Sequence, residues 1–301
     1  MNSALTYIKY KDIDLVKWDK LVDSSDNALI FCFSWYMNAF CSWDAIILGD
    51  YDGAIALPKK RKLGVKTLFQ PNFIQKCIWF GKNLTADEET VVWGFIRNNF
   101  HRVNFNCNIR LAKTSSDRVN QILPLTDYDS IRSGYSKSLT KNINKHASSL
   151  LVKERLSVKD TIDLYEAAYG DLNKQLTLVS YNALGKLSVS HPESFLNIHI
   201  VYESKIIGSL LFAVGKNRLH YILGAPTAEG RSKNALSIAI DYVIHKFSQQ
   251  EMTLDFEGSS IPSVKRFYAS FGAKEELFFE YAYISKTLRP LYILYSKLLR
   301  S

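Results

Sequence analysis

Hydrophobic positions along the chain switch between a period of two and a period of about 3.6, and the switches mark out short strands and helices. In the first half, residues 4–10 read as a strand. Residues 12–23 read as a helix, with Leu15, Trp18, Leu21 and Val22 at helical spacing. A short helix capped by Ser34 is expected over 34–40. Strands at 45–48 and 54–57 flank a turn over 49–53 and predict a hairpin. Residues 86–100 form an amphipathic helix whose first turn carries Asp87, Glu88 and Glu89, where acidic groups complement the helix dipole. Extended structure resumes at 103–106 and 121–125.

The second half repeats this grammar. Helices are expected over 136–147, over 157–169 with a capping signal from Ser157 to Asp160, and over 176–188. Strands at 195–202, 206–214 and 218–223 form a meander. A long helix over 232–247 carries Leu236, Ala239, Ile240, Val243, Ile244 and Phe247 on one stripe. A strand (252–256), a helix (261–271) and a strand (278–284) close the order. The fold class is therefore mixed α/β in two similar lobes, over 1–130 and 131–285, followed by a basic amphipathic tail over 286–301. No Pro-, Gly- or Ser-rich linker separates the lobes.

Composition refines this picture. With 47% apolar and 13% aromatic residues in 301, the chain has ample material for two cores. No apolar run approaches the roughly 20 residues that cross a bilayer. The first residues lack the basic segment and apolar stretch of a secretory signal, so a cytoplasmic protein is expected. Cys32, Cys41, Cys77 and Cys107 form no CxxC pair, which favours free buried thiols over a metal site; no metal is expected. The net charge of +9 calls for an anionic partner. It concentrates in Lys59–Lys62, in a stretch with Lys137, Lys141, Lys145, Lys153 and Arg155, and in the tail.

One run is more specific. Tyr221–Gly224, Glu229-Gly230-Arg231, Ala235 and Asp241, Leu254-Asp255-Phe256-Glu257-Gly258-Ser259, Pro262, Arg266-Phe267-Tyr268 and Ser270-Phe271-Gly272-Ala273 together resemble the second lobe of the Fem-like N-acyltransferases. These are a branch of the GNAT superfamily. The basic segment from Tyr135 to Lys145 resembles the helix that opens that lobe. The resemblance covers residues 134–283; over the first lobe it rests on element order. It implies two GNAT-like lobes, each a mixed and mostly antiparallel sheet flanked by helices. It also implies acyl transfer to an amine, with acyl-coenzyme A or aminoacyl-tRNA as co-substrate. In standard members a glycine-rich loop opens the long helix and its amides cradle a pyrophosphate. Here Asn234 and Leu236 stand where that loop has small residues, a departure that favours the Fem-like branch.

Acyl transfer to an amine needs a proton acceptor, donors for the oxyanion, and positioning. Of Asp255 and Glu257, read as facing opposite sides of a strand, one is expected to face a given cleft, and Glu257 is the preferred choice. Tyr268 is a candidate proton donor, with a core role as the alternative. Arg231 and Lys233, at the head of the long helix, and Arg266 are candidates for an anionic substrate; Tyr221 and Tyr181 are candidate cleft residues. Lys137, Lys141 and Lys145 repeat at i, i+4 and i+8 and line one helix face, suited to a tRNA, a nucleotide- or lipid-linked precursor, or to solvent alone. His220 reads as a lone structural histidine. The tail, with Arg289, Lys297 and Arg300 among leucines, suits peripheral contact with an anionic membrane or packing across the lobes. The leading reading is an N-acyltransferase acting on a cell-envelope, polysaccharide or peptidoglycan-type precursor. The alternatives are a coenzyme A-dependent acetyltransferase of a small metabolite and a catalytically silent binding module.

Overall fold

The structure is a computed structural model that describes residues 4–111, 115–155, 157–258 and 261–290. The chain folds as two compact units, 1–118 with 277–301, and 119–276.

The first unit opens with β1 (Leu5–Lys9), α1 (Leu15–Ser24) and α2 (Ser34–Phe40). The expected hairpin follows as β2 (Ser42–Leu48) and β3 (Gly53–Lys62), closed at Leu48 opposite Gly53. Strand β3 runs on through the basic cluster and turns into β4 (Val65–Phe69). The short β5 (Phe80–Gly81), α3 (Ala86–Asn99) and β6 (Arg102–Cys107) complete the first half of the chain. Helix α3 starts as its acidic first turn predicts, with Thr85 and Glu88 closing a reciprocal capping box. Ser34 differs from expectation: it is the first helical residue, and its amide and hydroxyl donate to Asp19 at 2.7 and 2.6 Å. The basic cluster is partly structural. Lys59 pairs with Asp44, which is 1% exposed and also accepts from the Tyr7 hydroxyl.

Next come β7 (Ser116–Leu125), α4 (Tyr128–Ser133), α5 (Lys137–His146), β8 (Leu151–Arg155), α6 (Lys159–Tyr169) and α7 (Leu178–Ser190). The capping signal read at Ser157 is met in part, its hydroxyl accepting from the Lys159 amide at 3.4 Å. The cap residue of α6 is Val158, while the Ser157 carbonyl accepts from Asn197 Nδ2 at 2.6 Å. The meander forms as β9 (Phe195–Tyr202), β10 (Lys205–Val214) and β11 (Arg218–Pro226). A short α8 (Ala228–Ser232) precedes the expected long helix, α9 (Ala235–Phe247), which begins after Asn234 with its left-handed φ of 56°. After β12 (Met252–Asp255) and α10 (Pro262–Ala269) comes β13 (Lys274–Ile284).

The two units repeat one strand order. In the first it is β1-β2-β3-β4-β6-β13, with β4 and β6 parallel and every other pair antiparallel. In the second it is β8-β9-β10-β11-β12-β7, with β11 and β12 as the parallel pair. The last place in each order is taken by a strand from the opposite half of the sequence. Residues 279–284 of β13 pair with β6, and residues 122–125 of β7 pair with β12. The units therefore divide at 118/119 and 276/277, whereas the sequence reading drew the lobes at 130 and 285. Strands β4 and β8 carry few apolar alternations and were not anticipated from the pattern.

Each unit has its own core. Ile46, Leu57, Trp79, Phe105 and Tyr281 belong to the first. Ile198, Leu210, Phe212, Ile240 and Phe271 belong to the second. Helix α9 buries Ala239, Ile240, Val243 and Ile244, the stripe expected of it. Asp241 on its other side accepts hydrogen bonds from the Tyr128, Tyr135 and Arg132 side chains at 3.0–3.1 Å, tying the segment around α4 to α9. Among the described residues no helix is long and apolar enough to cross a membrane. Of the tail, residues 291–301 lie outside the described residues.

All four cysteines are free, and Cys32, Cys77 and Cys107 are buried. Burial pushes the Cys32 and Cys107 thiols up to about 12. In the unfolded chain a thiol ionises near ~8.5. Below that pH both states keep the proton and the stability is complete; above it the unfolded chain releases first, and stability falls until the folded thiols titrate. The urea midpoint is expected to decline from pH 8 toward 10, with each thiol contributing a slope of up to about 1.4 kcal/mol per pH unit. Unfolding titrations of wild type and Cys107→Ala check this, the variant losing its share of the slope.

Candidate active site

In the second unit the parallel pairing of β11 and β12 runs from Arg218 opposite Thr253 to His220 opposite Asp255 and then stops. Strand β11 continues to Pro226 while β12 ends, so the two strands part at His220 and Asp255. In the first unit the corresponding pair, β4 and β6, is matched only over Thr67–Phe69. Beyond that point residues 70–80 fill the gap. Gln70 accepts from the Asn106 amide at 2.9 Å, and the Cys77 amide donates to the Asn106 carbonyl at 2.9 Å. The second unit is the one whose strand parting receives chemically capable side chains.

Asp255 anchors that point. It is 0% exposed, and its carboxylate accepts from Asn120 Nδ2 at 2.8 Å and from Arg218 Nη1 at 3.0 Å. Arg218 also pairs with Glu276 at 2.7 Å, which closes a buried network. The same carboxylate accepts the Glu257 amide at 2.7 Å. An aspartate that bonds the amide two residues on forms an Asx turn, which reverses the chain. Glu257 accordingly has a φ of 58° and Gly258 one of 67°. A Cβ on Gly258 would lie 2.8 Å from the Val119 carbonyl, so only glycine fits there.

Asp255 and Glu257 do not face opposite ways as expected: residues two apart on a strand share a face, and here the turn decides where Glu257 lies. Strand alternation ends at Asp255, and both carboxylates reach the same imidazole: His220 Nδ1 lies 3.6 Å from Asp255 and 3.2 Å from Glu257. His220 is 0% exposed, and the Glu257 side chain is 17% exposed, which gives this cluster its outlet. A polar residue of β11 that falls opposite the Asp255 register position was the available signal for His220, and it needed the pairing to be read.

Aromatic side chains surround the carboxylate. The Tyr268 ring stacks on Phe256 with centroids 4.5 Å apart and stands 6.2 Å edge-on to Tyr221. Burial, then the charge of Glu257, pushes the Tyr268 phenol well above its ordinary value; burial, then Tyr268, does the same to Tyr221. Both are neutral hydrogen-bond donors across the physiological range. A bulge leaves Ile222 unpaired, so that Phe212 faces Tyr221 while Leu211 faces Leu223. It lays the Tyr221 ring across Gly224, where a Cβ would meet the hydroxyl at 1.9 Å. Tyr165 and Tyr169 of α6 stand near these phenols, and burial, then the nearby Tyr181, pushes Tyr165 up to about 12. Tyr181 is 2% exposed and lies in a groove of about 840 Å³ between α6 and α7.

The expected site residues thus divide. Glu257 and Asp255 come together at His220, Tyr268 feels the charge of Glu257, and Tyr221 meets Tyr268. Among the described residues no hydrogen bond or ion pair joins Arg231, Lys233 or Arg266 to them. Arg231 is exposed in the last turn of α8, and Lys233 lies over the Tyr202 ring at 3.8 Å. The break at Asn234 is what separates these cations from the head of α9. Arg266 is exposed on α10, and Lys137, Lys141 and Lys145 are exposed along α5 as the spacing predicted. Among the described residues no group of three or more His, Cys, Asp or Glu is placed to hold a metal ion.

A mixed sheet with one parallel pair that parts, crossed by helices and repeated in tandem, defines a GNAT-type fold. No family model matches the sequence, and no curated protein matches it. Solved structures match the fold over nearly the whole chain. FemX matches over 94% of this chain and 98% of its own, with a TM-score of 0.66 at 11% identity. The C-terminal domain of a protein named as a lysylphosphatidylglycerol synthetase from Agrobacterium fabrum matches over 95% and 96%, with a TM-score of 0.57 at 14% identity. A conserved protein of unknown function from Bacteroides thetaiotaomicron matches over 91% and 99%, with a TM-score of 0.57 at 10% identity. The fold is the Fem-like one that the sequence resemblance implied.

Asp255→Ala removes the buried carboxylate that pairs with the mostly buried Arg218, and breaking such a pair costs up to about 3–5 kcal/mol. Glu257→Gly instead relieves a left-handed φ, so it is expected to hold or raise the unfolding midpoint. Thermal and urea unfolding of the two variants check the contrast: a large drop for the first and none for the second.

Proposed function

We propose that the protein is an N-acyltransferase whose reaction centre is the parting of β11 and β12, with Glu257 as the proton acceptor. The observation that carries this reading is Glu257 itself, a carboxylate in a left-handed conformation, partly exposed and backed by a buried imidazole at 3.2 Å. Backbone strain of this kind is maintained by surrounding structure and concentrates at working sites. The FemX-like fold supports the same class of chemistry.

In the proposed step an acceptor amine attacks the carbonyl carbon of an acyl or aminoacyl donor. Glu257 takes the proton released as the new C–N bond forms, and the Tyr268 phenol donates a hydrogen bond to the developing oxyanion or to the leaving atom. The C–O or C–S bond to the donor then breaks, and the proton held by Glu257 leaves with the departing group. Asp255 does not meet substrate in this scheme. It accepts the Glu257 amide, and so fixes the direction of the carboxylate, and lies 3.6 Å from His220 Nδ1. Tyr221 and Tyr181 line the approach; Arg231, Lys233 and Arg266 are proposed contacts for the anionic portion of a substrate.

The donor is proposed to be an aminoacyl-tRNA in preference to acyl-coenzyme A. Asn234 and Leu236 obstruct the close backbone approach of a pyrophosphate, and the face of Lys137, Lys141 and Lys145 suits a polyanion. The acceptor is proposed to be a cell-envelope precursor at the cytoplasmic face of the membrane. A neighbour named for lysylphosphatidylglycerol synthesis supports lipid-linked acceptors as a class to test. Acyl-coenzyme A remains the second reading of the donor, and a silent binding module the third.

Thermal-shift screening with aminoacyl-tRNA, acyl-coenzyme A and nucleotide-linked amino sugars separates the donor readings. A shift with acetyl-coenzyme A alone favours the second reading, and no shift with any of them favours the third. With the donor in hand, Glu257→Gln is expected to lower kcat by about 100-fold or more at unchanged unfolding midpoint. Tyr268→Phe should lower it by about tenfold or more, and Arg231→Ala should raise KM. Full activity in both Glu257→Gln and Arg231→Ala would overturn the site.

A further inference from the structure

The tip of the β3–β4 hairpin joins two features that protein surfaces usually keep apart. Lys62 pairs with Val65, so the turn consists of Leu63 and Gly64 alone. Both have positive φ, 49° and 80°, the geometry of a two-residue turn in which asparagine or glycine normally stands first. Here a leucine occupies that place. It is 94% exposed and belongs to neither core described above. Its backbone is strained and its side chain is fully in water, so neither local propensity nor packing explains it.

The flanking residues carry one sign of charge. Lys60, Arg61 and Lys62 are exposed on β3, and none pairs with an acidic group among the described residues. Lys60 rests over the Phe69 ring at 4.4 Å. Lys59 and Lys66 are turned inward to the buried Asp44, which uses up the nearby carboxylate. No aspartate or glutamate lies between Asp52 and Asp87 in the sequence, so the whole segment from β3 to the start of α3 is cationic.

We propose that this hairpin tip is a docking point for an anionic lipid bilayer, with Leu63 entering the interface and Lys60, Arg61 and Lys62 meeting the lipid phosphates. A nucleic acid satisfies the cations equally well but gives a solvent-exposed leucine at the apex nothing to bury against; a bilayer satisfies both. Cations near an anionic membrane surface strengthen binding about fivefold each, and an inserted leucine adds about tenfold or more. The contact is therefore reversible and orients the molecule without anchoring it permanently. It does not depend on the transfer chemistry proposed above.

The test is flotation of the full chain with phosphatidylcholine vesicles made with and without phosphatidylglycerol. Wild type is expected to float only with the anionic lipid. Leu63→Gly, which suits the turn better than leucine and so keeps the fold, is expected to weaken this binding about tenfold. The double variant Arg61→Glu/Lys62→Glu is expected to abolish it. Unfolding midpoints of both variants should match or exceed that of wild type. Absence of vesicle binding, or equal binding by wild type and both variants, overturns the proposal. So does retention on duplex RNA that the charge reversal removes but Leu63→Gly leaves unchanged, in the absence of vesicle binding. Since no readout uses acyl transfer, failure here leaves the proposed activity standing, and failure of that activity leaves this result intact.

Discussion

A single buried carboxylate organises the second unit. Asp255 is withdrawn from water, and a buried charge is tolerable only when it is paired and fully hydrogen-bonded. Arg218, Asn120 and the Glu257 amide meet that demand, and each does so from a different segment. The arginine comes from β11, the asparagine from β7, and the amide from the turn beyond β12. Satisfying one ion therefore fixes where two parallel strands part and which way the chain leaves the sheet. The direction of Glu257, its nearness to His220 and the electrostatic setting of Tyr268 all follow from that arrangement.

The repeated strand order gives this constraint a structural counterpart. Both units have one parallel pair at the same place in the order, yet the first fills the gap beyond its pair with residues 70–80 and satisfies the edge of β6 with Gln70 and Cys77. Free backbone groups at a strand edge must be bonded somewhere. In the first unit the chain itself bonds them; in the second, polar side chains converge there. The same architecture thus closes the gap with its own chain in one unit and gathers a carboxylate–imidazole cluster at the same place in the other.

Much of the fold was legible in the hydrophobic pattern, because amphipathic elements bury one face and declare it by period. The hairpin of β2 and β3, the meander of β9–β11, helix α3 and the buried stripe of α9 all follow from that rule. What escaped it were positions where a local signal met a tertiary competitor. Ser34 looks like a cap, but Asp19 claims its amide and hydroxyl. The helix read from 232 begins instead at Ala235, after Asn234 in a left-handed conformation.

The sequence by itself determined the tandem order of elements, the family resemblance in the stretch around Leu254–Gly258, and the residue types available for chemistry at Glu257 and Tyr268. Only the tertiary structure decided which of them meet. A regular strand would set Asp255 and Glu257 on one face, but β12 ends at Asp255, and the turn made when its carboxylate bonds the Glu257 amide decides where Glu257 lies. His220 could be assigned to the site only once β11 and β12 were in register. Similarly, β7 and β13 were readable as strands, but not the unit each would join. Periodicity reports which face of an element is buried, whereas the partner that buries it is chosen by contacts between residues far apart in the chain.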